Sequence, residues 1–169
     1  MPELVLTDFG RQLLADAIAE AQEKLRQASL EKGAEASGQD SWHDEGYKQA
    51  SVNEMMWSRR YGELREILTR GKVVVPLEQA EKVLIGNAVR VRYEDGETER
   101  HILDGYLIES VPHRLSCLSP LGKALLNATK GSRVVFASGG RTIAVVVEEI
   151  FPPSAAAPPE APPPAGGGP

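Results

Sequence analysis

The sequence is poor in cysteine, in aromatic residues and in long apolar runs. Cys117 is the only cysteine among 169 residues, which excludes an intramolecular disulfide framework and any multi-cysteine metal site and suits a reducing compartment. Aromatic residues make up 5% of the chain, so we expect small cores and long elements. The longest apolar run, residues 143–147, is far shorter than the roughly 20 residues that a membrane-spanning helix needs. The first residues also lack the apolar stretch of a signal peptide, and we expect a cytoplasmic protein with no membrane partner.

An excess of basic charge is also absent. The chain has 19 Lys plus Arg against 24 Asp plus Glu, a formal net charge of -5. This disfavours a protein that coats duplex DNA, because such proteins neutralise many phosphates with basic side chains. A local basic surface remains compatible with this charge, since Arg59 and Arg60 adjoin Trp57 and Tyr61. This combination suits a nucleic-acid strand, and a solvated helix face of mixed charge is the alternative.

Two narrow apolar seams predict an antiparallel coiled-coil hairpin over residues 1–72. Thr7 or Asp8 is a suitable N-cap for the first helix, and Gly71 lies where the C-terminal cap of the second belongs. The steps of three and four are typical of helices. The seams are formed by Leu14, Ile18, Ala21, Leu25 and Ala28, and by Tyr47, Ala50, Glu54, Trp57, Tyr61, Leu64 and Leu68. Neither helix can bury its seam alone, so the two must pair.

After Gly71 the pattern changes to short β-branched runs, which predict a small antiparallel β-sheet over residues 73–151. Ser119 and Pro120 suit the N-cap and first position of one short helix against this sheet. Strands are indicated at 73–75, in a hairpin over 88–108 around an Asp-Gly turn, and at 133–137 and 142–149. The fold class is therefore α+β.

The last 18 residues, 152–169, contain eight of the twelve prolines. Their side chains cannot build a core, so we expect a disordered Pro/Ala/Gly-rich tail. A solvated extension is favoured over a ligand for a Pro-recognition module.

The segment between the two helices, residues 38–46, is rich in acids. Asp40, Asp44 and Glu45 place three carboxylates close to His43. Acids at a helix start often serve only as caps. At the tip of a protruding hairpin, however, they could enter another protein's cavity as ligands for magnesium, which prefers hard oxygen donors. Zinc is disfavoured, because no second histidine or cysteine lies at a ligand spacing from His43.

The order of these parts resembles that of the GreA/GreB family of bacterial transcription elongation factors, over about residues 3–151. The segments that carry the resemblance are Ser119–Leu126, with the sequence Ser-Pro-Leu-Gly-Lys-Ala-Leu-Leu, and Lys130–Phe136, supported by the acidic hairpin tip. The resemblance implies an FKBP-like C-terminal domain that binds RNA polymerase at the rim of its secondary channel, and a coiled coil that enters the channel. It also implies that tip acids position magnesium and water for cleavage of backtracked RNA. The chain would then be a stimulator of the polymerase's own active site and not an enzyme itself.

The candidate site residues come partly from the resemblance and partly from the chemistry of the residues themselves. Asp40 matches the family's tip pattern directly, whereas Asp44 and Glu45, next to each other in the chain, are candidates for catalysis and magnesium positioning because they are tip carboxylates. The candidate contacts to nascent RNA are Arg59 and Arg60, and the candidate polymerase-binding residues are Leu118, Ser119 and Pro120.

One position at the tip departs from the family pattern, because His43 stands where the family has a glutamate. This departure allows a second interpretation, a Gre-like regulator that occupies the channel and modulates or inhibits the polymerase without stimulating cleavage. Two other classes stay open. A peptidyl-prolyl isomerase with a helical dimerisation arm is disfavoured, because it needs an aromatic-lined pocket and few aromatics follow residue 71. A plain coiled-coil interaction protein is the simplest alternative.

Overall fold

The computed structural model describes residues 4–36 and 45–156, and the chain divides into two compact units. The first, the hairpin unit, runs to Val74 and includes Tyr106–Ile108; the second, the sheet domain, comprises Val75–Gly105 and the residues from Glu109 onward. A helical hairpin followed by a sheet domain confirms the predicted α+β class. Among the described residues, no helix has the length and apolar character needed to cross a membrane.

The hairpin unit consists of two long helices and a short two-stranded sheet. Its elements are strand β1 (Leu4–Leu6), helix α1 (Asp8–Glu35), helix α2 (Glu45–Arg70) and strand β2 (Gly71–Val73). The predicted N-cap of α1 is confirmed, since the Thr7 hydroxyl accepts a hydrogen bond from the Gly10 N–H at 3.1 Å. The first turn of α1 also carries Asp8, whose charge the helix dipole stabilises.

Apart from Gly10, the buried residues of α1 lie seven positions apart. Leu14, Ala21 and Ala28 are buried on α1, and Ala50 and Leu64 on α2. A strict seven-residue repeat is the pattern of a coiled-coil seam. Three of these five buried residues are alanine, and larger side chains such as Ile18 and Trp57 pack against them partly buried.

The pairing of β1 with β2 was missed by sequence reasoning. These strands run parallel, with Leu4 opposite Gly71 and Leu6 opposite Val73. Gly71 therefore begins a strand, whereas the sequence indicated a helix cap. A Cβ at this position would overlap the Leu6 side chain, so close approach accounts for the glycine.

The sheet domain contains five strands in the order β5-β4-β3-β7-β6 and one short helix. The elements are β3 (Ala88–Tyr93), β4 (Thr98–Asp104), β5 (Arg114–Ser116), α3 (Pro120–Leu125), β6 (Arg133–Ser138) and β7 (Arg141–Phe151). Three of the four pairings are antiparallel, as predicted, but β4 and β5 run parallel. The parallel pair was not foreseen, because β5 has only three residues and no alternating pattern.

One face of this sheet forms the domain core with α3. The buried residues share small or branched aliphatic side chains: Val83, Val89, Val91, Leu103, Leu121, Leu125, Val145, Val147 and Ile150. The opposite face has a smaller cluster in which Ala156 packs with Ala88, Ile102 and Phe151. We expected the disordered tail to begin at residue 152, but residues 152–156 continue the sheet domain. Residues 157–169 lie outside the described residues.

Asn87 is fully buried at the junction of several segments of the sheet domain. Its side-chain amide donates to the carbonyl oxygens of Gln79 at 2.6 Å and Phe151 at 2.9 Å. Its Oδ1 accepts from the Leu84 N–H at 2.9 Å and from Gln79 Nε2 at 3.0 Å. One buried side chain therefore hydrogen-bonds three partly buried backbone groups.

Replacing Asn87 by Ala is expected to lower the free energy of unfolding by about 3 kcal/mol, because buried polar groups lose their partners at a cost of about 1–3 kcal/mol each. Urea denaturation followed by circular dichroism measures this change. Thr98→Ala, on the exposed start of β4, is the matched control, with an expected change of less than about 0.5 kcal/mol. Equal stability of the two variants would contradict this role for Asn87.

Candidate functional site

Of the acidic candidates in the tip segment, Glu45 is the one that lies among the described residues. Asp40, Asp44 and the neighbouring His43 lie outside the described residues. Glu45 is the first residue of α2; its side chain is 89% exposed and its carboxylate pairs with Lys48 at 2.9 Å. Within residues 4–36 and 45–156, no group of three or more histidine, cysteine or acidic side chains is arranged to hold a metal ion. The assignment of magnesium to the tip therefore stays a prediction.

A polar network joins the two helices near the end of the hairpin. Lys32 Nζ lies 2.6 Å from Glu54 Oε2, and the Ser29 hydroxyl donates to Glu54 Oε1 at 2.8 Å. The hydrogen bond from Lys32, followed by that from Ser29, lowers the pKa of Glu54, and Glu54 in turn raises the pKa of Lys32. Sequence reasoning placed Glu54 in the second seam without a partner. A polar seam residue that finds its partner on the other helix fixes the register of a coiled coil.

This network gives a prediction for the titration of Glu54. A lowered folded-state pKa means that the stabilisation is complete above the unfolded value, about 4.3, and is lost as the pH falls through the folded value. Lys32→Met is expected to move the pKa of Glu54 upward, because the charged donor is removed. Carboxyl-carbon NMR measures the titration directly, and Ser29→Ala should produce the smaller rise. An unchanged Glu54 pKa in Lys32→Met would contradict the pairing.

The predicted basic and aromatic surface on α2 is only partly present. Arg59 and Arg60 are exposed, and Arg59 Nε pairs with Glu63 at 2.9 Å. The rings of Trp57 and Tyr61 instead pack, partly buried, against the core of the hairpin unit. These rings therefore stabilise the hairpin and do not form a stacking platform beside the arginines. Arg59 and Arg60 stay predicted RNA contacts on the basis of charge alone.

The loop that enters α3 holds the candidate polymerase-binding residues; we call residues 114–120 the docking loop. Leu118 is 43% exposed, whereas the side chains of Leu115 and Cys117 pack against the core. This settles which apolar residues of the loop face outward. Burial raises the pKa of the Cys117 thiol, which is the behaviour of a buried small hydrophobe.

Ser119 and Pro120 form the start of α3 as the sequence predicts. The Ser119 hydroxyl accepts from the Gly122 N–H at 3.0 Å and donates to the Ser116 carbonyl oxygen at 2.7 Å. Pro120 is the first residue of the helix, where a missing N–H costs nothing. The two residues thus hold Leu118 at the edge of a rigid turn.

Sequence reasoning missed the ion pair between the first residue of this loop, Arg114, and Asp104. Arg114 Nη1 approaches Asp104 Oδ2 at 2.6 Å, and the Asp104 side chain is only 2% exposed. The one signal in the sequence is an acid that directly follows the apolar pair Ile102-Leu103 in a predicted strand. Nothing in the sequence identifies Arg114, ten residues later, as its partner.

The aromatic residues after position 71 do not form the pocket that a peptidyl-prolyl isomerase needs. Tyr93 and Phe136 pack against the core of the sheet domain, and burial, aided by the bond to Glu99, raises the pKa of Tyr93 to about 12. Phe151 lies beneath the guanidinium of Arg100, 4.2 Å from its ring centre. Tyr106, the remaining one, belongs to the hairpin unit.

Comparison with known proteins relates part of this chain to a known family. Residues 78–152 match the family model described as transcription elongation factor GreA/GreB, C-terminal. No curated protein sequence matches the chain. Among solved structures, Gfh1, the GreA factor homolog 1 of Thermus thermophilus, aligns over 88% of this chain and 99% of its own, with 22% identity and a TM-score of 0.42.

Two further solved structures show similar extents of alignment. Gfh1 of Thermus aquaticus is 24% identical and covers 89% of this chain and 99% of its own, with a TM-score of 0.41. A GreA/GreB elongation factor of Nitrosomonas europaea is 19% identical with the same coverages and a TM-score of 0.36. The resemblance to the GreA/GreB family predicted from the sequence is confirmed for residues 78–152, which match the C-terminal domain of that family.

Proposed function

We propose that this protein binds bacterial RNA polymerase at its secondary channel and stimulates cleavage of backtracked RNA. The observation that carries the proposal is the match of residues 78–152 to the GreA/GreB C-terminal domain. The docking loop supports it, because Leu118 is an exposed apolar side chain next to the capped start of α3. Loops positioned by a rigid scaffold are frequent sites of binding.

In this proposal the sheet domain binds the polymerase, and the hairpin tip positions magnesium and water at the polymerase active site. Asp40, Asp44 and Glu45 supply carboxylate oxygens, the donors that magnesium prefers. The exposure of the Glu45 side chain, 89%, is compatible with such a role. Magnesium, when bound in the polymerase, supplies a polarised water and stabilises the leaving oxygen. The residues of this chain orient that site, and the polymerase performs the cleavage, so the protein is a stimulator and not itself an enzyme.

The length of the helices in the hairpin supports delivery of the tip into a narrow channel. Helix α2 has 26 residues, so at about 1.5 Å per residue its length is near 39 Å. Arg59 and Arg60, on the exposed surface of this helix, are the proposed contacts to nascent RNA, whose phosphates attract basic side chains.

Equilibrium binding to bacterial RNA polymerase tests the first half of the proposal. Labelled protein should bind the polymerase, and an unlabelled GreA/GreB factor should displace it, because both would occupy the same channel. Binding without displacement would contradict the secondary-channel location, and absence of binding would contradict the function as a whole.

A second function is favoured by one position in the tip. His43 stands where the family has a glutamate, so the protein could occupy the channel and inhibit the polymerase without stimulating cleavage. His43→Glu distinguishes the two functions. A cleavage stimulator is already active with His43, whereas a channel-occupying regulator gains cleavage stimulation only in the variant.

A further inference from the structure

A buried ion pair joins Arg114, the first residue of the docking loop, to Asp104 at the end of β4. The Asp104 side chain is 2% exposed and that of Arg114 25% exposed, with 2.6 Å between the charged groups. Removal of two charges from water costs several kcal/mol per ion, and a buried pair is often no more stabilising than apolar residues of equal size. A gain in the free energy of unfolding is therefore a weak explanation for the presence of this pair.

Asp104 contacts residues at both ends of strand β5, Arg114 through its side chain and Cys117 through its backbone. Asp104 binds Arg114 through its carboxylate and also accepts the Cys117 N–H on its backbone carbonyl at 2.8 Å. Between these two contacts, the Ser116 hydroxyl donates to the Gly105 carbonyl oxygen at 3.0 Å. Residues 114, 116 and 117 are thus all held by the end of β4.

Hydrogen bonds also connect Ser116 to the residues at the start of α3. The Ser116 carbonyl oxygen accepts from the Ser119 N–H at 3.0 Å and from its hydroxyl at 2.7 Å. The Leu118 N–H points back to the Ser116 hydroxyl at 3.2 Å. At Gly122, an added Cβ would overlap the Ser116 carbonyl oxygen, so α3 begins as close to β5 as a glycine permits. Leu118 is exposed in the middle of this turn, with both ends of the turn fixed.

We propose that Asp104 and Arg114 are positioning residues for polymerase binding, and that their ion pair holds Leu118 in the orientation that the polymerase contacts. This inference rests on the proposed function, and it identifies which residues determine the shape of the binding surface. A loop held in its bound shape loses less conformational entropy on association. The partner surface that fits it is apolar at its centre, because Leu118 is the exposed apolar residue of the turn.

The double variant Asp104→Leu/Arg114→Met separates positioning from stability. Apolar residues of similar volume in place of a buried ion pair are neutral or stabilising, so the thermal midpoint should stay at or above that of the native protein. The Kd for RNA polymerase is expected to rise about tenfold, because the loop loses its fixed shape. Hydrogen exchange of the Leu118 N–H in the free protein should become faster, which a purely stabilising role would not produce.

A matched control removes an ion pair elsewhere in the sheet domain. Arg133 and Glu94 pair at 2.8 Å with both side chains largely exposed. Arg133→Gln/Glu94→Gln should therefore leave the Kd and the exchange of the Leu118 N–H unchanged. A rise in Kd equal to that of the Asp104/Arg114 variant would overturn the specific role of the buried pair.

Ser116→Ala provides a milder test that leaves no buried charge unpaired. It removes the bonds to Gly105 and Leu118, so a severalfold rise in Kd is expected with little change in thermal midpoint. If the double variant does not fold, a native Kd for Ser116→Ala would overturn the inference, because binding would then not depend on the fixed turn that holds Leu118. Native binding by a folded Asp104→Leu/Arg114→Met protein would overturn the inference and leave the proposed function intact. Absence of binding by the native protein itself would overturn both.

Discussion

Replacement of Asp40 and Asp44 together by Asn is expected to abolish the stimulation of RNA cleavage while leaving polymerase binding unchanged. In the proposed mechanism these carboxylates help to position magnesium and water, and the docking loop, not the tip, provides the main binding contact. Loss of residues that orient a metal site costs about 10- to 100-fold in activity, so two such losses should reduce stimulation by about 100-fold or more. Single-turnover cleavage in a backtracked elongation complex, at saturating protein, measures the effect.

The control for this variant must remove the same charge from the same hairpin. Asp16 and Glu20 are exposed acids in the first half of α1, away from the tip segment, and Asp16→Asn/Glu20→Gln changes the net charge by the same amount. This control should stimulate cleavage as the native protein does. Equal loss of stimulation in the two variants would mean that overall charge, and not tip chemistry, accounts for the effect.

Leu118→Asp is expected to weaken polymerase binding by about 100-fold, the size of effect seen when a central apolar contact is lost and a charge is buried in its place. Because Leu118 is already 43% exposed in the free protein, the thermal midpoint should change little. Titration of labelled polymerase with each variant gives the Kd, and circular dichroism confirms that the variant is folded.

Val135→Asp is the matched control for Leu118→Asp. Val135 is an apolar residue of the same domain with similar exposure, 49%, but it lies on β6 outside the docking loop. The control should bind the polymerase with the native Kd. If both substitutions weakened binding equally, the docking loop would not be the contact surface.

The hairpin was the part of the fold that could best be predicted from the sequence. Its seam repeats over many residues, and the Thr7 cap and the Ser119–Pro120 start of α3 are local signals that depend on few neighbours. The pairing of β1 with β2 could not be predicted in this way. Each strand has only three residues, and their contact joins segments more than 60 positions apart in the chain.

In the candidate site, too, features set by neighbouring residues could be predicted, whereas contacts between distant segments could not. The start of α3 beside Leu118 follows from local signals, but the exposure of Leu118 itself became visible only in the structure. The pairing of Asp104 with Arg114 depends on the parallel alignment of β4 and β5. The Lys32–Glu54 contact depends likewise on the register between two helices. Charged partners on separate elements leave no periodic pattern, so their pairing becomes visible only in the structure.

The most direct test of the account is the rate of RNA cleavage in a backtracked bacterial elongation complex at saturating protein, measured across magnesium concentrations. The account predicts that the protein accelerates cleavage, most strongly where magnesium is limiting, because tip carboxylates assist its positioning. A cleavage rate that is unchanged at every magnesium concentration, with binding of the protein to the polymerase verified in the same complexes, would contradict it.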